Sequence, residues 1–263
     1  MAKATNYWGN RLAEAQQRLT EKSVKETEAQ LVKYYSSSQK KIIGQFEQIY
    51  NKVISSLEEG REPTPADLYK LDSYWKMQGE LTKELEKLGD KQATLLNKKF
   101  IEEWQNIYDL LAIKSDSKMF SKADINVARQ VINSIWCADG KSWSQRIWKN
   151  TARLQEMLNE QLIFCVATGK KTTELKDLLQ ERFNVSYSAA DSIVRTELAH
   201  IQTEAAKQRY IDSGIELVEI WADEDERRCE VCGKLHEKKY PVGAAVPIPA
   251  HPRCRCCIIP VVE

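Results

Sequence analysis

Residues Arg227 to Cys257, RRCEVCGKLHEKKYPVGAAVPIPAHPRCRCC, hold five of the chain's seven cysteines and two of its three histidines. Four chemistries use such a concentration of soft ligands: disulfides, a dithiol redox pair, a catalytic metal and a structural metal clip. Spacing separates them. Cys229-x-x-Cys232 is followed, after an 18-residue loop, by His251-x-x-Cys254. A structural zinc takes four Cys/His ligands in a tetrahedron, and two-residue spacing lets each pair turn onto one ion. A bare CxxC would equally mark a thioredoxin-like redox site, but that needs a βαβ context, which is missing here. Disulfides fit poorly. The start, MAKATNYWGNRLAEAQ, has no apolar run resembling a secretion signal, so a reducing cytoplasm is expected. Seven cysteines also cannot all pair within one chain.

The fourth ligand has two candidates. On a strand, Cys254 and Cys256 point to one face and Cys257 to the other. A Cys229/Cys232/Cys254/Cys256 site is therefore open, with His251 hydrogen-bonded elsewhere. The expected set is Cys229, Cys232, His251 and Cys254, with Cys256 as the alternative to His251. His236 reads as a solvated loop residue, and Cys137 and Cys165 as small core residues on helices. Four strong protein ligands leave no open position for the water that a hydrolytic zinc needs. The His-x-Glu and Pro-Cys-x-x-Cys halves of a zinc deaminase are absent, as is HExxH. Glu226, Glu230 and Glu237 read as solvated charges, so no catalytic residue is assigned. Zinc is the expected metal, although iron can occupy thiolate-rich sites.

These ligands need elements to carry them. The chain is long enough for one large domain or two smaller ones. Its first half reads as helices: from Ile42, residues Phe46, Ile49, Tyr50, Val53 and Leu57 recur at helical spacing. EEGREPTPAD interrupts, with Gly60 suiting a helix end and Thr64, Pro65 and Asp67 suiting the next start. Leu68, Leu71, Trp75, Leu81, Leu85 and Leu88 then share a face, followed by a stripe from Leu95 to Leu111. Periodicity lapses near residues 112–122. A short helix follows Ser121, and another starts near Ser142 or Trp143, runs through Leu158 and Val166, and ends at Gly169. Thr172 or Thr173 caps the next, with Leu175, Leu178, Leu179 and Phe183 inward. Ser188 with Asp191 reads as a further capping pair, opening a long helix that Gly214 closes.

IELVEIW then alternates like a strand, placing Glu216, Val218 and Ile220 on one face. CCIIPVVE is also strand-like, with Pro260 suggesting an edge. The fold class expected is mainly α, with an elongated helical N-terminal bundle or hairpin over 1–115 as an assembly surface. A helical middle region covers 116–214, and a small α+β zinc-clipped module covers 215–263, packed on the preceding helix. Two short strands and a Pro/Gly-rich loop bury too little apolar area to offset their ordering entropy. A structural zinc contributes on the order of 10–16 kcal/mol in small finger-like units. The ligands cluster where core burial alone falls short.

Charge narrows the partners. A net charge of +1 gives no global attraction to nucleic acid or anionic membrane, and no stretch approaches a membrane span. Arg227, Arg228, Lys234, Lys238, Lys239, Arg253 and Arg255 give the terminal segment some positive charge, much of it offset by Asp225, Glu226, Glu230 and Glu237.

The stretch from Val194 to Cys256 resembles the carboxy-terminal signature of phage head-morphogenesis proteins, the minor head or minor capsid proteins of the Mu F-like family. The pieces that carry it are Arg195-Thr196-Glu197, Trp221, Cys229-x-x-Cys232 and His251-Pro252-x-Cys254-Arg255-Cys256. DGKSWSQRIW and NYWGNRLAEAQ also look like minor head proteins of phages of Gram-positive hosts. The resemblance implies a low-copy virion component, in the head interior after synthesis in a bacterial cytoplasm. It implies partners among portal, scaffold and major capsid proteins, contact with packaged DNA, and no membrane. Arg195 and Glu197 lie two apart on a helix and face different ways. Arg195 is expected to pair with a carboxylate near the zinc module, and Glu197 or Glu204 to anchor a loop. Competing readings are a zinc-dependent nuclease or hydrolase and a zinc-module DNA binder.

Overall fold

The computed structural model describes residues 7–57, 60–112, 123–222 and 228–261. It is mainly α: among the described residues there are seven helices and one small antiparallel sheet. The helices are α1 (Tyr7–Ser55), α2 (Pro65–Tyr69), α3 (Asp72–Leu110), α4 (Ile125–Ile132), α5 (Trp143–Ala167), α6 (Thr172–Asp212) and α7 (Glu230–Leu235). Strands β1 (Leu217–Trp221), β2 (Lys239–Pro241) and β3 (Cys257–Pro260) pair in the order β2-β1-β3. No described helix is long and apolar enough to cross a membrane.

Two compact units divide the chain. One contains Met1–Thr27, Leu95–Trp143 and Ser192–Glu263; the other contains Glu28–Thr94 and Ser144–Asp191. The breaks in sequence texture near residues 115 and 214 are linear, and the units cut across them. Residues 113–122, most of the expected boundary, lie outside the described residues.

The unit built from Glu28–Thr94 and Ser144–Asp191 packs parts of four long helices together with the short α2. Phe46, Ile49, Tyr50 and Val53 of α1 are buried, as are Leu81, Leu85 and Leu88 of α3. Leu154, Leu158, Leu162 and Val166 of α5 join them, with Leu175, Leu179 and Phe183 of α6. A polar knot fixes their register. The Tyr35 hydroxyl lies 3.3 Å from Gln92 Oε1 and 3.1 Å from Ser186 Oγ, while Asn150 donates to Tyr35 at 3.3 Å and to the Ser186 carbonyl at 2.8 Å. Buried donors and acceptors satisfied across four helices tie α1, α3, α5 and α6 to one arrangement. Gly89 allows another close contact, because a Cβ there would fall 2.6 Å from the Trp148 ring.

Thr64 and Asp67 do form a cap. The Asp67 carboxylate accepts the Thr64 backbone N–H at 3.0 Å and the Arg61 guanidinium at 2.7 Å. Those donors, Arg61 foremost, hold its pKa well below the usual carboxylate range. The helix opened there is short, however. It stops at Tyr69, and α3 starts afresh at Asp72. That offset turns Trp75 outward, 58% exposed and stacked on Tyr69, while Tyr74 and Met77 take the buried face. Nor does a helix begin at Ser188. The stretch NVSYSAAD contains no glycine or proline, and α6 runs through it unbroken.

The unit holding the metal-ligand segment is built on the first part of α1, the last part of α3, α4 and the second half of α6. Buried Glu103 accepts from Thr20 and Ser23, both at 2.5 Å, which ties α3 to α1. Phe100 meets Trp143 edge-on at 5.4 Å, and the Trp143 indole donates to the Ile132 carbonyl at 3.0 Å. Gly214, at φ +72°, ends α6 in the left-handed conformation and turns the chain into β1.

Val218 and Ile220 are buried as the alternation requires, and β3 is an edge strand. All four β3 residues are nonetheless buried, because helices cover that edge. Gln16 of α1 donates to the Ile258 carbonyl at 3.0 Å, Tyr210 of α6 donates to it at 3.3 Å, and Ala13 packs with Cys257 and Ile259. Strand β2 and helix α7 carry no clear pattern in the sequence. Both are too short for a period to register.

Candidate metal centre

Helix α7 presents the first ligand pair. Cys229 is its N-cap, and its Sγ accepts the backbone N–H of Cys232 at 3.3 Å. That amide is the main reason the Cys229 thiol titrates below its ordinary range. One helical turn then brings Cys232 alongside, 5% exposed, and its burial pushes the thiol up to about 12.

The second pair sits on a tight turn. The Cys254 N–H bonds the His251 carbonyl at 3.2 Å, and Arg253 adopts φ +62° between them. A left-handed residue with a side chain costs about 1–2 kcal/mol, and here it brings both ligands of the turn toward Cys232. His251 Nε2 lies 3.2 Å from Cys229 Sγ and 3.1 Å from Cys232 Sγ. Cys254 Sγ lies 3.8 Å from Cys232 Sγ. A tetrahedral zinc with bonds of about 2.3 Å places its sulfurs roughly 3.8 Å apart, so that edge fits an ion without rearrangement.

His251 is oriented by its own turn. Its Nδ1 lies 2.9 Å from the Pro252 carbonyl, which fixes the proton there and aims the Nε2 lone pair at the sulfurs. The same carbonyl raises the imidazole pKa. Cys254 is pulled down to about 5, chiefly by a hydrogen bond from the Cys256 thiol, with backbone N–H groups of Cys256 and Ala250 adding to it. Cys256 is correspondingly raised, first by that bond and then by burial.

All five expected donors therefore converge, in two overlapping groups. Cys229, Cys232 and His251 form one, and Cys232, Cys254 and Cys256 the other; within each, every donor atom lies within 4.8 Å of the others. Cys232 belongs to both. This Cys/His cluster could hold a metal ion. Cys257 points away from it into the packing with Ala13 and Ile259, as strand alternation requires.

The remaining cysteines and histidines divide. Cys165 is fully buried, but Cys137 is half-buried in the loop after α4 rather than on a helix. His236 is not simply solvated. Its Nδ1 accepts the Ala222 N–H at 3.2 Å and its ring meets Trp221 edge-on at 4.7 Å. It closes α7 against β1, a role that only the strand's position reveals. His200 is buried and stacked at 4.1 Å on Trp136, and burial lowers its pKa to about 4.

Arg195-Thr196-Glu197 reaches three different elements. Arg195 pairs with Glu21 of α1 at 3.7 Å; the acidic residues 223–226 beside the metal module lie outside the described residues. Thr196 Oγ1 accepts the Arg253 backbone N–H at 3.1 Å, so α6 holds the His251–Cys254 turn. Glu197, 3% exposed, accepts the Trp136 indole N–H at 2.9 Å and so anchors the loop before α5. Trp136 and Thr196 were missed as site supports because their contacts are distant in sequence. No protein-family profile, curated protein or solved structure matches the chain.

Proposed function

We propose that the protein is a minor structural component of a phage or prophage head. It acts in head morphogenesis near the portal or procapsid interior, and in DNA packaging or ejection, with zinc as a structural clip. The observation that carries this reading is how the residues of the resemblance are used. Arg195, Thr196 and Glu197 each tie α6 to another element, Trp221 braces His236, and the cysteines and His251 cluster. Every one is spent on holding parts together, as an assembly protein requires. Five soft donors, four of them grouped around Cys232, also exceed the four that close a tetrahedral shell, which favours a structural role over hydrolysis.

Partners on this reading are portal, scaffold or major capsid proteins. The test is to purify heads and procapsids from the strain that encodes the chain and quantify it by mass spectrometry. A few copies per particle are expected. Absence from every head intermediate would overturn the reading, and metal-dependent DNA cleavage by the purified protein would replace it with an enzymatic one.

A further inference from the structure

The cluster offers five donors where one tetrahedral ion needs four, and the surplus is arranged in a particular way. His251 belongs only to the group with Cys229, and Cys256 only to the group with Cys254, while Cys232 is shared. The two candidates are held by different parts of the fold. His251 rides on the turn that Thr196 of α6 grips through Arg253. Cys256 directly precedes β3, which is fixed by pairing with β1 and by the Gln16 and Tyr210 side chains on Ile258. Swinging the His251 side chain out of the shell therefore leaves both Cys254 and Cys256 in place.

We propose that Cys256 is a reserve ligand: the ion draws the two groups together about Cys232, keeps Cys229, Cys232 and Cys254, and takes either His251 or Cys256 in its fourth position. This rests on the cluster being a metal site, and goes beyond it by assigning two ligand sets to one ion. With a divalent ion, three thiolates and neutral His251 give the site a net charge of −1. In the exchange the metal–Nε2 bond breaks, the Cys256 thiol releases its proton to water, and a metal–sulfur bond forms, leaving −2. Burying the smaller charge costs less, so the histidine set is the resting one. In that state the Cys256 thiol stays beside the metal-bound Cys254 sulfur, within 4.8 Å of it in this structure. The consequence is a clip that keeps its ion while the His251 side chain leaves the shell.

The test uses the full chain with Co2+ as the probe, because thiolate-to-cobalt charge-transfer intensity counts bound sulfurs. Wild type, His251→Gln and Cys256→Ser should each bind one Co2+ per chain. Cys256→Ser should keep the wild-type spectrum. In His251→Gln the charge-transfer intensity should rise by roughly a third, four thiolate bonds replacing three. The double variant should lose Co2+ at concentrations that saturate the others. His251→Asn guards against a packing defect specific to glutamine, since Cys256 must rescue both replacements. Loss of Co2+ from both histidine variants, with Cys256→Ser unaffected, would make His251 obligatory and overturn the exchange while leaving the metal site standing. Loss from Cys256→Ser with the histidine variants intact would make Cys256 the obligatory ligand, again overturning it. Two Co2+ per wild-type chain would also overturn it, in favour of a pair of ions bridged by Cys232. No Co2+ in wild type would instead remove the metal site itself.

Discussion

His200→Gln is the substitution that reads out the interior of the metal-bearing unit. The imidazole is 8% exposed, its ring lies against Trp136, and its Nε2 has no hydrogen-bond partner among the described residues. Burial, with a smaller push from Lys207, lowers its pKa from 6.5 to about 4. Above pH 6.5 it is neutral both folded and unfolded, and contributes no pH dependence. Between pH 6.5 and 4 the unfolded chain binds a proton that the folded protein refuses, so stability falls as pH falls. The slope approaches about 1.4 kcal/mol per pH unit, which amounts to roughly 2 kcal/mol by pH 5. Glutamine does not titrate. Urea unfolding of both chains at pH 7 and pH 5 should show wild type losing about 2 kcal/mol more than the variant. The acid-sensitive thiolates are common to both chains and cancel in that difference. Parallel losses would show that His200 takes up its proton in the folded state, and would refute the argument from burial.

Three further outcomes are expected. Cys229→Ser, or chelation of wild type, should release the metal and open residues 228–261 to protease while most of the helical circular dichroism persists; unchanged protease resistance would count against the clip. Glu103→Gln should raise stability at pH 7 by on the order of 1 kcal/mol, because burial raises the Glu103 pKa and ionising it in place is costly. That gain should shrink as the pH falls toward the ordinary glutamate value of 4.5, and a pH-independent gain would contradict it. Gly214→Ala should cost about 1–2 kcal/mol in thermal unfolding, as alanine must adopt φ +72° between α6 and β1.

The Cys/His cluster was legible because metal chemistry constrains spacing locally: two pairs with two-residue gaps suffice to propose it, and the structure brings Cys229, His251, Cys254 and Cys256 around Cys232. Helices were legible where apolar residues recur over several turns, as from Ile147 to Val166. Local signals misled where they were weighed without their surroundings. Ser188 and Asp191 have the chemistry of a helix start, yet nothing before them stops the helix already running. Trp75 lies on the expected stripe, but a two-residue break after α2 resets the phase and turns it outward. The supports supplied by Trp136 and Thr196 are invisible to any local rule, since their partners lie 61 and 57 residues away.

The short strand β3 has a consequence for how the chain is made. Its Ile258 carbonyl accepts from Gln16, 242 residues earlier. On the ribosome, the amino-terminal part of α1 must therefore wait, its Ala13 face bare, until the segment 242 residues later has been synthesised. Such distant closure slows folding and leaves apolar surface exposed to neighbouring nascent chains. Closure of this unit then awaits the segment that also carries Cys254 and Cys256, so it coincides with assembly of the Cys/His cluster.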